Sequence, residues 1–196
     1  STVGNIDDLR ANLVTEVTLD LASTDTDVVT ATVDQASFDK ATSVKVTSAE
    51  NVNFGAIDAA NGATLDFTGV TGTLSVTVDT ANDYTVKGAS GTASTFIMGT
   101  GLDKDDIIIG GSSTADSLTA TINGLTSTTG DLLLTGVESL NLTVSGASIL
   151  DLADVTGATS LTVDGSNNLI MSTVLPNEIV TVKTSSATGN MTYGVG

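Results

Sequence analysis

The stretch from Asn82 to Leu118 holds the side chains most able to do chemistry. It reads Asn82-Asp-Tyr-Thr-Val-Lys-Gly88, then Phe96-Ile-Met-Gly-Thr-Gly-Leu-Asp-Lys-Asp-Asp-Ile-Ile-Ile-Gly-Gly111, then Thr114-Ala-Asp-Ser-Leu118. Carboxylates alternate there with glycines, so the chemistry open to the set is that of oxygen. The chain of 196 residues has no His and no Cys. That removes imidazole and thiolate metal ligands, disulfides, the Ser–His pair and the usual general base. The same Asp and Gly residues also serve simply as turn formers on an acidic surface, because a short carboxylate bonds its own backbone and glycine accepts any turn geometry.

The spacing resembles the glycine- and aspartate-rich nonapeptide of RTX calcium-binding proteins, in which Gly-Gly turns alternate with an Asp and a buried aliphatic residue. Asp106 to Gly111 followed by Asp116 to Leu118 fits with one extra residue, whereas Thr92 to Phe96 lacks the Asp that the motif sets before Phe96. The resemblance implies one or two Ca²⁺ ions bound by some of Asp103, Asp105, Asp106 and Asp116, with Asp83 as a further candidate. Calcium takes 6–8 hard oxygen ligands, and a glycine turn exposes carbonyl groups beside a carboxylate.

Elements must hold such turns in place, and composition says which kind. Hydrophobic residues make up 40% of the chain and aromatics only 3%, so the core is built from small aliphatic side chains. Thr and Val are plentiful, and both lose rotamer freedom in a helix but pack well on a pleated surface. Short apolar runs alternate with Thr or Ser at Val17–Leu21, Val28–Val33, Ser43–Val46, Leu74–Val78, Phe96–Met98, Asp106–Ile109, Leu118–Ile122, Leu140–Val144, Ser160–Val163 and Ile179–Val182. This period of two predicts strands with one buried face. Asn5 to Val14 is the one place where a helix could start. Mean hydropathy of +0.27 and a single Pro speak against a disordered acidic chain.

Strands at this spacing fit a β-sandwich or a β-solenoid. Internal repetition favours the solenoid, because stacked rungs put like residues in register. Val33 to Val46, Leu65 to Val78 and Leu150 to Val163 align without gaps on an aliphatic-Asp pair, a later apolar residue and a closing Ser-aliphatic-x-Val. Glu50 to Phe54 also echoes Glu138 to Leu142. The expectation is an all-β, parallel β-helix-like fold with RTX-like turns and rungs of roughly 20–30 residues. Residues 1–33 would form N-terminal strands or a cap, 34–182 the solenoid with its RTX-like segment at 82–118, and 183–196 a C-terminal strand or tail. Asn53 and Asn141 are candidates for stacked amide ladders inside turns.

The order of features resembles the β-helical region of secreted bacterial RTX-type surface-layer (S-layer) proteins. The resemblance rests on Gly-Thr-Gly-Leu-Asp-Lys-Asp-Asp at 99–106, Gly-Val-Glu-Ser-Leu-Asn-Leu at 136–142 and Val-Thr-Gly-x-x-Ser-Leu-Thr-Val at 155–163, within a span of 34–182. It implies export without a cleaved leader, a Ca²⁺-stabilised solenoid, self-association into a lattice and cell-envelope polysaccharide as a partner. The charge of −17 and pI near 4.1 argue against nucleic acid, since binding a polyanion needs Lys and Arg to replace its counterions. No apolar run is long enough for a membrane span. A rigid adhesin segment needs the same properties. A β-helix polysaccharide lyase or hydrolase would use the carboxylates, but six aromatics give it little surface for stacking sugars. Thr-x-Thr pairs at Thr24/Thr26, Thr30/Thr32, Thr71/Thr73 and Thr119/Thr121 would suit an ice-binding solenoid if they recurred once per rung, and they do not follow the 14-residue frame. The expectation is a structural protein and not an enzyme.

Overall fold

The computed structural model describes residues 4–21, 30–78, 82–126, 132–174, 179, 181–184 and 188–194. Twenty strands follow one another in these segments. The first ten are β1 (Gly4–Ile6), β2 (Leu9–Arg10), β3 (Glu16–Asp20), β4 (Thr30–Phe38), β5 (Ser43–Ser48), β6 (Asn51–Ala59), β7 (Ala63–Val70), β8 (Leu74–Thr77), β9 (Tyr84–Lys87) and β10 (Ser94–Ile97). The rest are β11 (Ile107–Ile109), β12 (Ser117–Asn123), β13 (Leu133–Thr135), β14 (Ser139–Gly146), β15 (Ser148–Leu150), β16 (Val155–Thr156), β17 (Ser160–Gly165), β18 (Leu169–Val174), β19 (Thr181–Thr184) and β20 (Met191–Gly194).

From β2 onward, strands adjacent in the chain fall in different sheets, and every pairing is with a strand of another rung, in parallel. The first sheet runs β1-β4-β6-β8-β10-β12-β14-β17-β19, with β2 also on β4; the second runs β3-β5-β7-β9-β11-β13-β16; the third is β15-β18-β20. The chain is therefore a parallel β-solenoid of about six turns, as the sequence leads one to expect. Contacts between rungs recur at separations of 21 and 22 residues, as in Thr159 to Glu138 and Ser94 to Asp116, and at 27 residues in the first turn. The 14-residue frame is not the rung: Val33, Leu65 and Leu150 begin it in three different sheets. It records the passage from one strand, round a corner, into the next.

The period of two does what it predicted. Inward positions stack in register to form the core: Val33, Phe54, Val76, Phe96, Leu118, Leu140 and Leu161 down the first sheet, and Val44, Leu65, Val86, Ile108, Leu134 and Val155 down the second. All of these are buried. Outward positions of the first sheet form a column of hydroxyls and amides: Asn5, Thr32, Asn53, Ser75, Thr95, Ser117, Ser139, Ser160 and Thr181.

Two expectations are corrected. The helix from Asn5 does not form; β1 and β2 pair with β4 at Gly4–Ala31 and Leu9–Ala36, so strand pairing overrides the local tendency. Asn53 and Asn141 lie on outward strand positions in different columns rather than inside turns. Amide oxygens that accept a backbone N–H from the next rung include Asn51 with Thr73 at 2.9 Å, Asn61 with Asp83 at 2.7 Å and Asn168 with Asn190 at 3.0 Å. Val28, Val29, Thr24 and Thr26 lie outside the described residues. No helix among the described residues is long and apolar enough to cross a membrane.

Candidate metal centre

The parallel register of β9 and β11, with Thr85 opposite Ile107, decides where the acidic side chains meet. Asp83 stands two residues before Thr85 and Asp105 two before Ile107, so the two carboxylates stack on adjacent rungs. Asp103, in the turn leading to β11, completes the group. One carboxylate oxygen from each of Asp83, Asp103 and Asp105 lies within 4.8 Å of the others. Ligand oxygens on opposite sides of a calcium ion, each at roughly 2.4 Å, are about that far apart. Asp83 and Asp103 are half-buried and Asp105 is exposed.

The backbone around them is held by the carboxylates themselves. The Asp105 N–H donates to Asp103 Oδ1 at 2.9 Å, and the Asp106 N–H reaches the Asp103 carbonyl at 3.4 Å. On the neighbouring rung, Asn61 accepts from the Asp83 N–H and donates through Nδ2 to Asp83 Oδ2 at 3.2 Å. The donor set is hard oxygen throughout, which fits Ca²⁺ better than any softer ion. One cation is already present. Lys104 Nζ pairs with Asp105, and with Asp103 and Asp83 also nearby its pKa is raised above 10.5.

Asp106 plays a different part. Its side chain is buried, with Oδ1 accepting the Tyr84 N–H at 2.9 Å and Oδ2 the Asp103 N–H at 3.0 Å. Burial pushes its carboxyl up from 3.8 to about 6; the two N–H donors oppose the rise, and the negative charges of Asp103 and Asp83 add to it. It is a strut behind the cluster that ties two rungs together.

Asp116 belongs to another corner. It is wholly buried at the start of β12, where Oδ1 accepts the Ser94 N–H at 2.6 Å and Oδ2 the Gly111 N–H at 2.9 Å. Its own N–H donates to Glu138 Oε2 at 2.8 Å, one rung further on. The five sequence candidates therefore divide: Asp83, Asp103 and Asp105 face one another, while Asp106 and Asp116 cap backbone.

Glu138 and the buried Asp151, whose Oδ1 takes the Ala153 N–H at 2.8 Å, are structural carboxylates that motif reading passed over. For Glu138 the available signal was its position directly before a strand and 22 residues after Asp116.

The Gly-Gly turn has a steric cause. A Cβ on Gly110 would stand 1.8 Å from the Gly136 carbonyl oxygen, and one on Gly111 2.0 Å from that of Ala89. Rungs here pack backbone on backbone. No family model, no curated protein and no solved structure matches the chain.

Proposed function

We propose that this chain is a structural segment of a secreted bacterial surface layer, a rigid acidic solenoid that binds calcium and associates with copies of itself. The observation that carries the reading is the convergence of Asp83, Asp103 and Asp105 at one corner of a periodic rod. A chain with a net charge of −17 repels both itself and its copies. A divalent ion at a corner where two rungs stack would reduce that repulsion and lock the rungs together. A lattice subunit needs such stiffness, and the stacked apolar columns supply it without disulfides.

Calcium titration followed by thermal unfolding and light scattering tests the reading. Saturation at about 100 times Kd stabilises by roughly 2.7 kcal/mol, which raises Tm by about 5–10 °C for a domain of this size. Ordered sheets in negative-stain microscopy support a surface layer, and separate rods point to an adhesin segment. No response to millimolar calcium overturns the ionic half of the reading.

The column of hydroxyls and amides on the first sheet favours a second reading, an ice-binding face. One outward hydroxyl column runs unbroken from Ser75 to Thr181, and a second position adds a hydroxyl on every other rung at Thr77, Thr119 and Thr162, with Ile97 and Asn141 between them. Their spacing, about 4.8 Å between rungs and about 6.7 Å along a strand, is set by the sheet. Absence of thermal hysteresis and of inhibited ice recrystallisation would remove this reading.

A further inference from the structure

We propose that the outward face of the second sheet is a self-association surface, on which two copies of this chain meet with Asp66 of each against Lys87 of the other. The inference rests on the self-assembly reading above and names the surface that reading leaves open.

The chain has 6 Lys and Arg against 23 Asp and Glu, so cations on its surface are scarce. Two of them, Lys45 and Lys87, stand in one outward column of the second sheet with Asp66 between them in register. Among the described residues, ion pairs join only Arg10 to Asp8 and Lys104 to Asp105, so neither Lys45 nor Lys87 is paired. Burial alone would raise the Asp66 carboxyl; hydrogen bonds from Thr68, then the charges of Lys87 and Lys45, outweigh it and hold the group below 3.8. Past Lys87 the column turns aliphatic at Ile109.

This order of charges is self-complementary. A two-fold axis lying between β7 and β9, parallel to the strands, sets β7 of each copy over β9 of the other and β5 over β11. Asp66 then meets Lys87 twice, and the stem of each Lys45 lies over Ile109, covering apolar surface while its ammonium stays in water. Six of the seven strands then overlap, with β16 beyond the contact, so at about 4.8 Å per strand the face is about 24 Å long, and two outward positions per strand make it about 12 Å wide. That is roughly 290 Å² per copy, well under the ~800 Å² of a stable complex. The contact is therefore weak alone and cumulative in a lattice, where other contacts raise the local concentration.

Sedimentation equilibrium of the full chain up to millimolar concentration, with calcium, tests the proposal. Asp66→Lys and Lys87→Asp should each weaken association about tenfold, since two symmetric pairs turn repulsive. The double variant should restore it, and thermal unfolding of each variant shows whether the fold survives. If a folded single variant associates like the wild type, or the double does not recover, the surface is wrong and self-assembly stands. A wild type that stays monomeric overturns both.

Discussion

Asp116 accepts the backbone N–H of Ser94, 22 residues earlier, at 2.6 Å. With its other oxygen on the Gly111 N–H, one carboxylate closes two donors at a fully buried corner. Asp116→Ala leaves both donors without their acceptor, and a buried unsatisfied group costs about 1–3 kcal/mol. The expected loss is roughly 2–5 kcal/mol in urea denaturation. Asp116→Asn, which keeps one acceptor oxygen, should lose less. Equal losses would show that the bonds to Ser94 and Gly111 are not what the carboxylate contributes.

Gly110→Ala should be among the most damaging single-methyl additions in the chain. Its Cβ would also approach Asp116 Oδ2 at 2.8 Å, besides the Gly136 carbonyl, so the rungs must part. Overpacking of this kind costs about 1–3 kcal/mol where neighbours can shift, and backbone on backbone cannot. A loss of about 3 kcal/mol or outright misfolding is expected. Gly62 offers the contrast: its φ is 78° but nothing lies within 4 Å of an added Cβ. Gly62→Asn, a residue that tolerates this left-handed backbone, should cost under about 1 kcal/mol by the same measurement.

Such glycines also show what the sequence could not tell. The alternation of Leu74 to Val78 or Leu140 to Val144 announces a strand, and β8 and β14 lie there. Strands β6 and β7 lie outside the apolar runs read as strands, as do β9, β13, β15 and β18; in β6 and β7 the turn-favouring residues Gly55, Asp58, Asp66 and Gly69 interrupt the apolar pattern. In the solenoid Gly55 is required within the strand, since a Cβ there would stand 2.0 Å from the Asp34 carbonyl oxygen. Register was hidden for a related reason: the 14-residue frame reflects the shape of a corner and does not count a rung. At the site, residue types were legible and burial was not. Nothing in the run Asp103-Lys-Asp-Asp106 tells which carboxylate turns inward to take the Tyr84 N–H.

Burial of Asp106 makes a prediction about pH. With its folded pKa near 6 against an ordinary 3.8, the native state holds a proton that the unfolded chain has lost across that interval. Stability from this group is fully present below about pH 4 and falls as pH rises through 6. Asp106→Asn cannot titrate. The difference in unfolding free energy between wild type and Asp106→Asn should therefore favour the wild type most near pH 4 and decline towards pH 7. A difference that is flat between pH 4 and 7 would contradict the burial argument.

Lys104 makes the sharpest test of the acidic corner, because its ammonium pairs with Asp105 where a divalent ion would bind. If the corner binds calcium, Lys104 competes with it, and Lys104→Gln should tighten binding. An exposed ion pair is screened by solvent and weak, so a gain of roughly two- to fivefold is expected in isothermal titration calorimetry. Asp103→Asn removes a charged ligand while leaving an oxygen able to accept the Asp105 N–H, so affinity should fall about tenfold or more with the fold intact. If the three carboxylates serve only as turn formers, Lys104→Gln loses its ion pair and gains nothing. Unchanged or weaker calcium binding in Lys104→Gln, with Asp103→Asn like the wild type, would leave the corner a structural turn.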